Sequence, residues 1–192
     1  MVLLTRTAIT VLAALTLCAC SASAPLTVDR LDRETGVTVT RAAVPLILYR
    51  DNSGYAAHAR EYVYVGPLRV NRMGDYRYFL WLGIWSTIGD PDVSAQRDGF
   101  DSVVLFADGE PLRLDLEGWT PAAIGTSEPP YPKPVASAAD AYYRVTLDQI
   151  RLISEARNVR LSAGDPPASY EPWDDQSRAM SALQKFVSND GY

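Results

Sequence analysis

EYVYVGPLRV (61–70), NRMGD (71–75) and YRYFLWLGIW (76–85) make up the stretch that decides the fold. Two runs rich in β-branched and aromatic residues flank a turn-forming connection, the pattern of an antiparallel hairpin. Side chains alternate across a strand with a period of two. In the second run Tyr76, Tyr78, Leu80, Leu82 and Ile84 therefore share one face, and Arg77, Phe79, Trp81, Gly83 and Trp85 share the other. Both faces are largely apolar. A strand of this kind is central, with one face in the core and the other covered by another layer or by a partner.

Outward from the hairpin, strand signals dominate the first two thirds of the chain. Residues 35–40 are rich in β-branched residues, and residues 44–49 form an apolar run whose Pro45 marks an edge, a bulge or a strand start. Asp51-Asn52-Ser53-Gly54 reads as a turn. Residues 87–99 read as a loop, and 102–107 and 111–116 bracket Asp108-Gly109, a dipeptide of tight hairpin turns. Leu112, Leu114 and Leu116 alternate with Arg113, Asp115 and Glu117, as on a strand with one wet face. Five prolines in the 14 residues 121–134 predict an extended, polyproline-like excursion over the surface.

The last third is mixed. Residues 142–145 read as a strand that ends at Thr146, and Thr146-Leu147-Asp148-Gln149 matches a capping box. The helix it opens runs to about Ala156, with Leu147, Ile150 and Ile153 on its inner face. Residues 159–161 form a short strand. Asp174 or Asp175 caps a final helix with the apolar stripe Met180, Leu183, Phe186 and Val187. Strands first and helices later argue against a parallel α/β fold. The expectation is an α+β domain, mainly an antiparallel β-sheet or sandwich, with two helices in the C-terminal part.

The N-terminus carries an address. Arg6 supplies a positive charge, and residues 8–17 an uncharged apolar core of 10 residues, half of the roughly 20 a membrane-spanning helix needs. It ends in Leu17-Cys18-Ala19-Cys20. Leu17 and Ala19 stand three and one residues before Cys20, whereas Cys18 follows the bulky Leu17. Ala22-Ser23-Ala24 also has the small-x-small form of an ordinary export site, but Pro25 would obstruct cleavage there. The segment resembles the type II signal peptide and lipobox of a bacterial lipoprotein precursor. That resemblance covers the first two dozen residues, and the residues after Cys20 carry none of the kind. It implies cleavage before Cys20 and lipidation of its sulfur, which fixes the chain to a membrane. Ser21, in place of the aspartate that retains enterobacterial lipoproteins in the inner membrane, implies the cell outer membrane with the domain facing the periplasm. The expected organisation is a signal peptide in 1–19, a lipidated N-terminus and tether in 20–32, and a single α+β domain in 33–192.

Cleavage there removes Arg6 and no acid, so the net charge moves from −5 to −6 over the 173 residues that remain. Such acidity argues against nucleic acid and against adhesion to anionic headgroups. With Cys18 removed and the Cys20 sulfur consumed, no disulfide, cysteine nucleophile or zinc-thiolate site is left. No cofactor or metal is implied.

Catalytic signatures are weak in the mature chain. His58 has no nucleophile or ligand partner at a recognisable spacing. The pairs Asp90 and Asp92, Asp98 and Asp101, and Asp174 and Asp175 are explained by turns and a helix cap, and Asp90-Pro91-Asp92 lacks the rest of a calcium loop. The hairpin gathers Tyr62, Tyr64, Tyr76, Tyr78, Phe79, Trp81 and Trp85, rings that either fill the core or stack on sugars and partner side chains. Trp81 and Trp85 are the candidate aromatic binding surface, and Cys20 the lipidation site. The leading expectation is a non-enzymatic, lipid-anchored envelope protein that binds a partner protein or cell-envelope component. The alternative is an envelope hydrolase acting on peptidoglycan or another glycan. A hydrophobe carrier would require a continuous apolar cavity.

Overall fold

A computed structural model describes residues 24–52, 58–88 and 97–189. Its frame is the long hairpin of β4 (Arg60–Arg72) and β5 (Asp75–Ser86), paired from Glu61↔Ser86 to Arg72↔Asp75. The turn is only Met73-Gly74, both at positive φ (53° and 95°), the backbone of the turn that matches strand twist. The Gly74 N–H donates to Asn71 Oδ1 at 2.8 Å, which closes that turn.

β4 is long enough to take two partners on its other edge. Its first half pairs with β3 (Leu46–Asp51) and its second half with β2 (Thr38–Ala42), which in turn pairs with β1 (Thr27–Leu31). Pro67 stands where the partners change, a position with no ladder hydrogen bond for its missing N–H to make. The stretch expected as tether, 20–32, therefore contains a strand: β1 is part of the folded body, and the domain begins before residue 33.

The sheet closes. β5 pairs with β8 (Ala139–Val145), β8 with β7 (Glu110–Gly118), and β7 with β6 (Ser102–Ala107). β6 pairs with β9 (Val159–Ala163), β9 with β10 (Ala168–Pro172), and β10 returns to β3 through Glu171↔Tyr49 and Pro172↔Leu48. The result is an eight-stranded antiparallel barrel with two extra strands and two short helices, 48% strand against 17% helix among the described residues. The expected α+β sheet or sandwich is thus corrected. Alternation marks which side chains face inward, but it is the same whether the inner face meets a second sheet or its own far wall.

The barrel interior is filled by side chains such as Leu48, Val63, Leu82, Leu105, Leu161 and Tyr143, each 0–1% exposed. β8 and β10 both run toward the end that holds the β4–β5 turn. α1 (Leu147–Glu155) and α2 (Ser177–Ser188), which follow them, meet there, with Gln184 Nε2 donating to the Ser154 carbonyl at 3.2 Å. Ile150, Ile153, Leu183 and Phe186 extend the interior core, so the helices cap that end. Phe100 packs into the same core, and its carbonyl accepts from the Tyr143 hydroxyl at 2.6 Å. A β-carbon on Gly99 would lie 2.3 Å from Gly164 Cα, so only glycine permits this approach. Among the described residues no helix is long and apolar enough to cross a membrane.

A second core lies outside the barrel wall. The segment between β7 and β8 crosses the outer face of β4, β5 and β8 as a strap, beginning with a single 3-10 turn at Pro121–Ile124. Tyr131 from this strap packs with Val39, Leu68, Phe79, Trp81 and Tyr142. Its hydroxyl donates to the Pro67 carbonyl at 3.1 Å, the group that the change of partners leaves open.

Candidate functional site

On the outer face of the hairpin the cross-strand pairs are Tyr62↔Trp85, Tyr64↔Gly83, Gly66↔Trp81 and Leu68↔Phe79. Glycine alternates with rings here because the rings need the room. Trp81 leans over Gly83, where a β-carbon would lie 2.5 Å from Trp81 Cη2. Tyr131 descends over Gly66, where a β-carbon would lie 2.4 Å from Tyr131 Cζ. Trp81 and Tyr131 stack at 4.6 Å with 13° between planes, and the Trp81 indole N–H donates to Asp140 Oδ1 at 2.9 Å. Lys133 Nζ stands 3.5 Å from the other Asp140 oxygen. Trp81 is 0% exposed. Its assignment to a binding surface is therefore corrected: the strap covers it, and it is a core residue of the outer layer.

Trp85 lies beyond the strap and remains partly exposed. It stacks on Tyr62 at 4.6 Å and 14°, and Tyr64 meets it edge-on at 6.4 Å and 74°. Trp173 meets Tyr62 edge-on at 5.5 Å and Tyr49 at 4.9 Å. The Trp173 backbone N–H donates to the Ile47 carbonyl at 2.9 Å, continuing the β10–β3 ladder and fixing the indole beside Tyr49. Five rings from β3, β4, β5 and the end of β10 thus meet across the seam that closes the barrel. Tyr62, 9% exposed, is the centre of the cluster; Tyr49, Tyr64, Trp85 and Trp173 surround it and are partly exposed. Arg60 lies 4.9 Å over the Trp173 ring and 5.8 Å over Tyr49, with Asp51 Oδ1 at 3.0 Å from its Nε. Burial raises the Tyr64 hydroxyl above its ordinary pKa, the Tyr62 hydroxyl adds to this, and the Trp85 indole N–H opposes it.

The inner side of the same strands carries a polar network. Arg50 Nε donates to Glu61 Oε2 at 2.6 Å, the Tyr170 hydroxyl donates to that oxygen at 2.9 Å, and Asn52 Nδ2 donates to Glu61 Oε1 at 2.5 Å. Burial pushes Glu61 up, but Arg50 and the other two donors outweigh it and hold the carboxyl below its ordinary range. Tyr170 is raised, first by burial and then by the Glu61 charge, and Arg50 covers its ring at 5.2 Å. A carboxylate held ionised in this way is unsuited to protonating a glycosidic oxygen, the step a hydrolase requires of its acid.

The remaining candidates are scattered. His58 is exposed at the entry to β4. Asp98 and Asp101 are exposed beside Phe100. Asp175 accepts from the Ser177 N–H at 2.8 Å and from the Ser177 hydroxyl at 3.0 Å, in the turn before α2. Cys20, Asp90 and Asp92 lie outside the described residues. Sequence reasoning found Trp85, Tyr62 and Tyr64 but missed Tyr49 and Trp173. Tyr49 has a local signal, its place in an apolar run, whereas Trp173 joins the site only through the β10–β3 closure. Comparison with family models, with curated proteins and with solved structures finds no match.

Proposed function

We propose that the chain is a lipid-tethered envelope protein that binds a partner protein or cell-envelope component through the aromatic outer wall of its barrel. The reading rests on one observation: the partly exposed stack of Trp85 on Tyr62, ringed by Tyr49, Tyr64 and Trp173 with Arg60 above. Rings held by their neighbours lose little side-chain freedom on contact, and their outer faces offer apolar area with polar tips to sugars or to partner side chains. The expected lipid on Cys20 supplies localisation, and the wall supplies contact.

The test has two arms. Full-length protein and its Cys20→Ala variant are compared in membrane and soluble fractions; release of the variant is expected, and undiminished sedimentation with outer membranes counts against the tether. Purified peptidoglycan sacculi and detergent extracts of the envelope are then offered to wild type and to the Trp85→Ala/Tyr49→Ala double variant. Retention by wild type with at least tenfold loss in the double variant is expected. Equal retention of both would remove the aromatic wall from the account.

A further inference from the structure

A groove of about 390 Å³ runs between the β1–β2 hairpin and the strap, on the far side of Tyr131 from the aromatic wall. Its floor is Val28 and Arg30 of β1 with Val39 and Arg41 of β2, and its wall is Pro129, Pro130 and Pro132. The register Val28↔Arg41 and Arg30↔Val39 puts the two arginines diagonally across one face of the hairpin, about 7–8 Å apart in backbone. Both guanidiniums line the same small groove.

The two are not equally neutralised. Arg30 Nη1 pairs with Glu128 Oε2 at 2.7 Å, and its Nη2 donates to the Glu128 and Pro129 carbonyls. Glu128 is itself 70% exposed, so this pair is an open contact of the strap. Arg41 has no carboxylate partner among the described residues. Its Nη1 donates to the Ala42 and Ala43 carbonyls at 3.0 and 3.2 Å, and its guanidinium lies 4.9 Å over the Tyr131 ring. These contacts fix the plane of the fork and leave its Nε and Nη2 unspent, the donor pair that meets a carboxylate side-on. Near Arg30, within reach of its charge, the Tyr142 hydroxyl is buried without a hydrogen-bond partner among the described residues.

We infer that this groove binds a carboxylate carried on a short peptide, with Arg41 as the primary contact. Arg30 becomes the second contact when the ligand displaces Glu128, and the proline wall packs against the peptide's small apolar side chains. Free chain ends and acidic side chains share this chemistry, so the experiment carries both. Full-length protein labelled with ¹⁵N-arginine is titrated with acetyl-alanyl-alanine, its C-terminal amide, acetyl-glutamate amide and inorganic phosphate. The arginine Nε–H resonances report binding.

The free acid is expected to shift the Arg41 resonance saturably, and the amide to leave it in place. Stronger binding of the dipeptide acid assigns the site to chain ends, and stronger binding of the glutamate derivative assigns it to side chains. Arg41→Gln is expected to weaken the preferred acid about tenfold or more, as loss of a charge-assisted hydrogen bond does. Glu128→Gln, which removes the competitor and keeps Arg41 and Tyr131 stacked, is expected to tighten it about threefold or more by the same arithmetic. Equal binding of acid and amide, an affinity unchanged by both substitutions, or phosphate binding tighter than either acid would overturn the assignment.

Discussion

Asp32 shows how much one side chain does in this fold. Its Oδ1 accepts from the Glu34 and Thr35 N–H groups at 3.1 and 3.2 Å and from the Ser127 hydroxyl at 2.9 Å, while Oδ2 accepts from the Ser127 N–H at 2.6 Å. One carboxylate thus shapes the turn after β1 and ties down the strap 95 residues away. The Ser127 N–H is the chief cause of a pKa far below the usual carboxylate range, and burial opposes it. A depressed folded value means that the bond stabilises the protein above the unfolded pKa near 4. That stability is lost as pH falls from there toward the folded value. Denaturant titrations from pH 7 to 3 are expected to show the loss, and Asp32→Asn is expected to start less stable and to flatten the profile; an identical profile would detach Asp32 from it. Gly66→Ala places a methyl against the Tyr131 ring and is expected to cost about 1–3 kcal/mol of folding stability, read from a shifted denaturation midpoint. A Gly66→Ala midpoint equal to wild type would mean that the strap does not bear on β4. Neither role was legible locally, since Asp32 needs Ser127 and Gly66 needs Tyr131.

At the scale of elements the sequence was more open. The runs 61–70 and 76–85 are the cores of β4 and β5, and only the turn is shorter than the residue chemistry of 71–75 suggests. The two-faced apolarity of β5 is explained by a packed interior on one side and the strap on the other. The five prolines of 121–134 indeed form a surface excursion, but one that covers rings rather than merely spanning a gap. The capping box is complete: the Gln149 N–H donates to Thr146 Oγ1 at 3.2 Å, and Gln149 Oε1 accepts from the Thr146 N–H at 2.8 Å. Thr146→Ala is expected to lower stability by about 1 kcal/mol, measured as a lower thermal midpoint with an unchanged folded-state spectrum. An unaltered midpoint would mean that α1 is held by its buried face alone. Two elements were misjudged. Residues 27–31 (TVDRL) fall in the stretch expected as a tether, yet they pair with β2. The second helix begins after Gln176, whose Oε1 accepts from the Ile47 N–H at 3.0 Å, and not directly on an aspartate cap.

The whole molecule was the least legible level, because closure is a matter of long-range pairing. Nothing in 168–172 announces that it will join 46–51, and without that pairing an antiparallel sheet or sandwich satisfies the same alternation. Closure leaves the ring without free edges and gathers Tyr49 and Trp173 beside Trp85. It therefore builds the wall on which the proposed function rests, whereas Trp81, the other tryptophan of the hairpin, is taken into the outer core by the strap. The direct measurement is photo-crosslinking in cells that make the full-length chain, with a benzophenone amino acid at position 85 or, as a control on an exposed site of β7, at position 113. Covalent adducts with one envelope component at 85, lost in the Tyr49→Ala background and absent at 113, are the expected result. Adducts of equal yield at both positions, or none at 85, would contradict a contact surface on the aromatic wall.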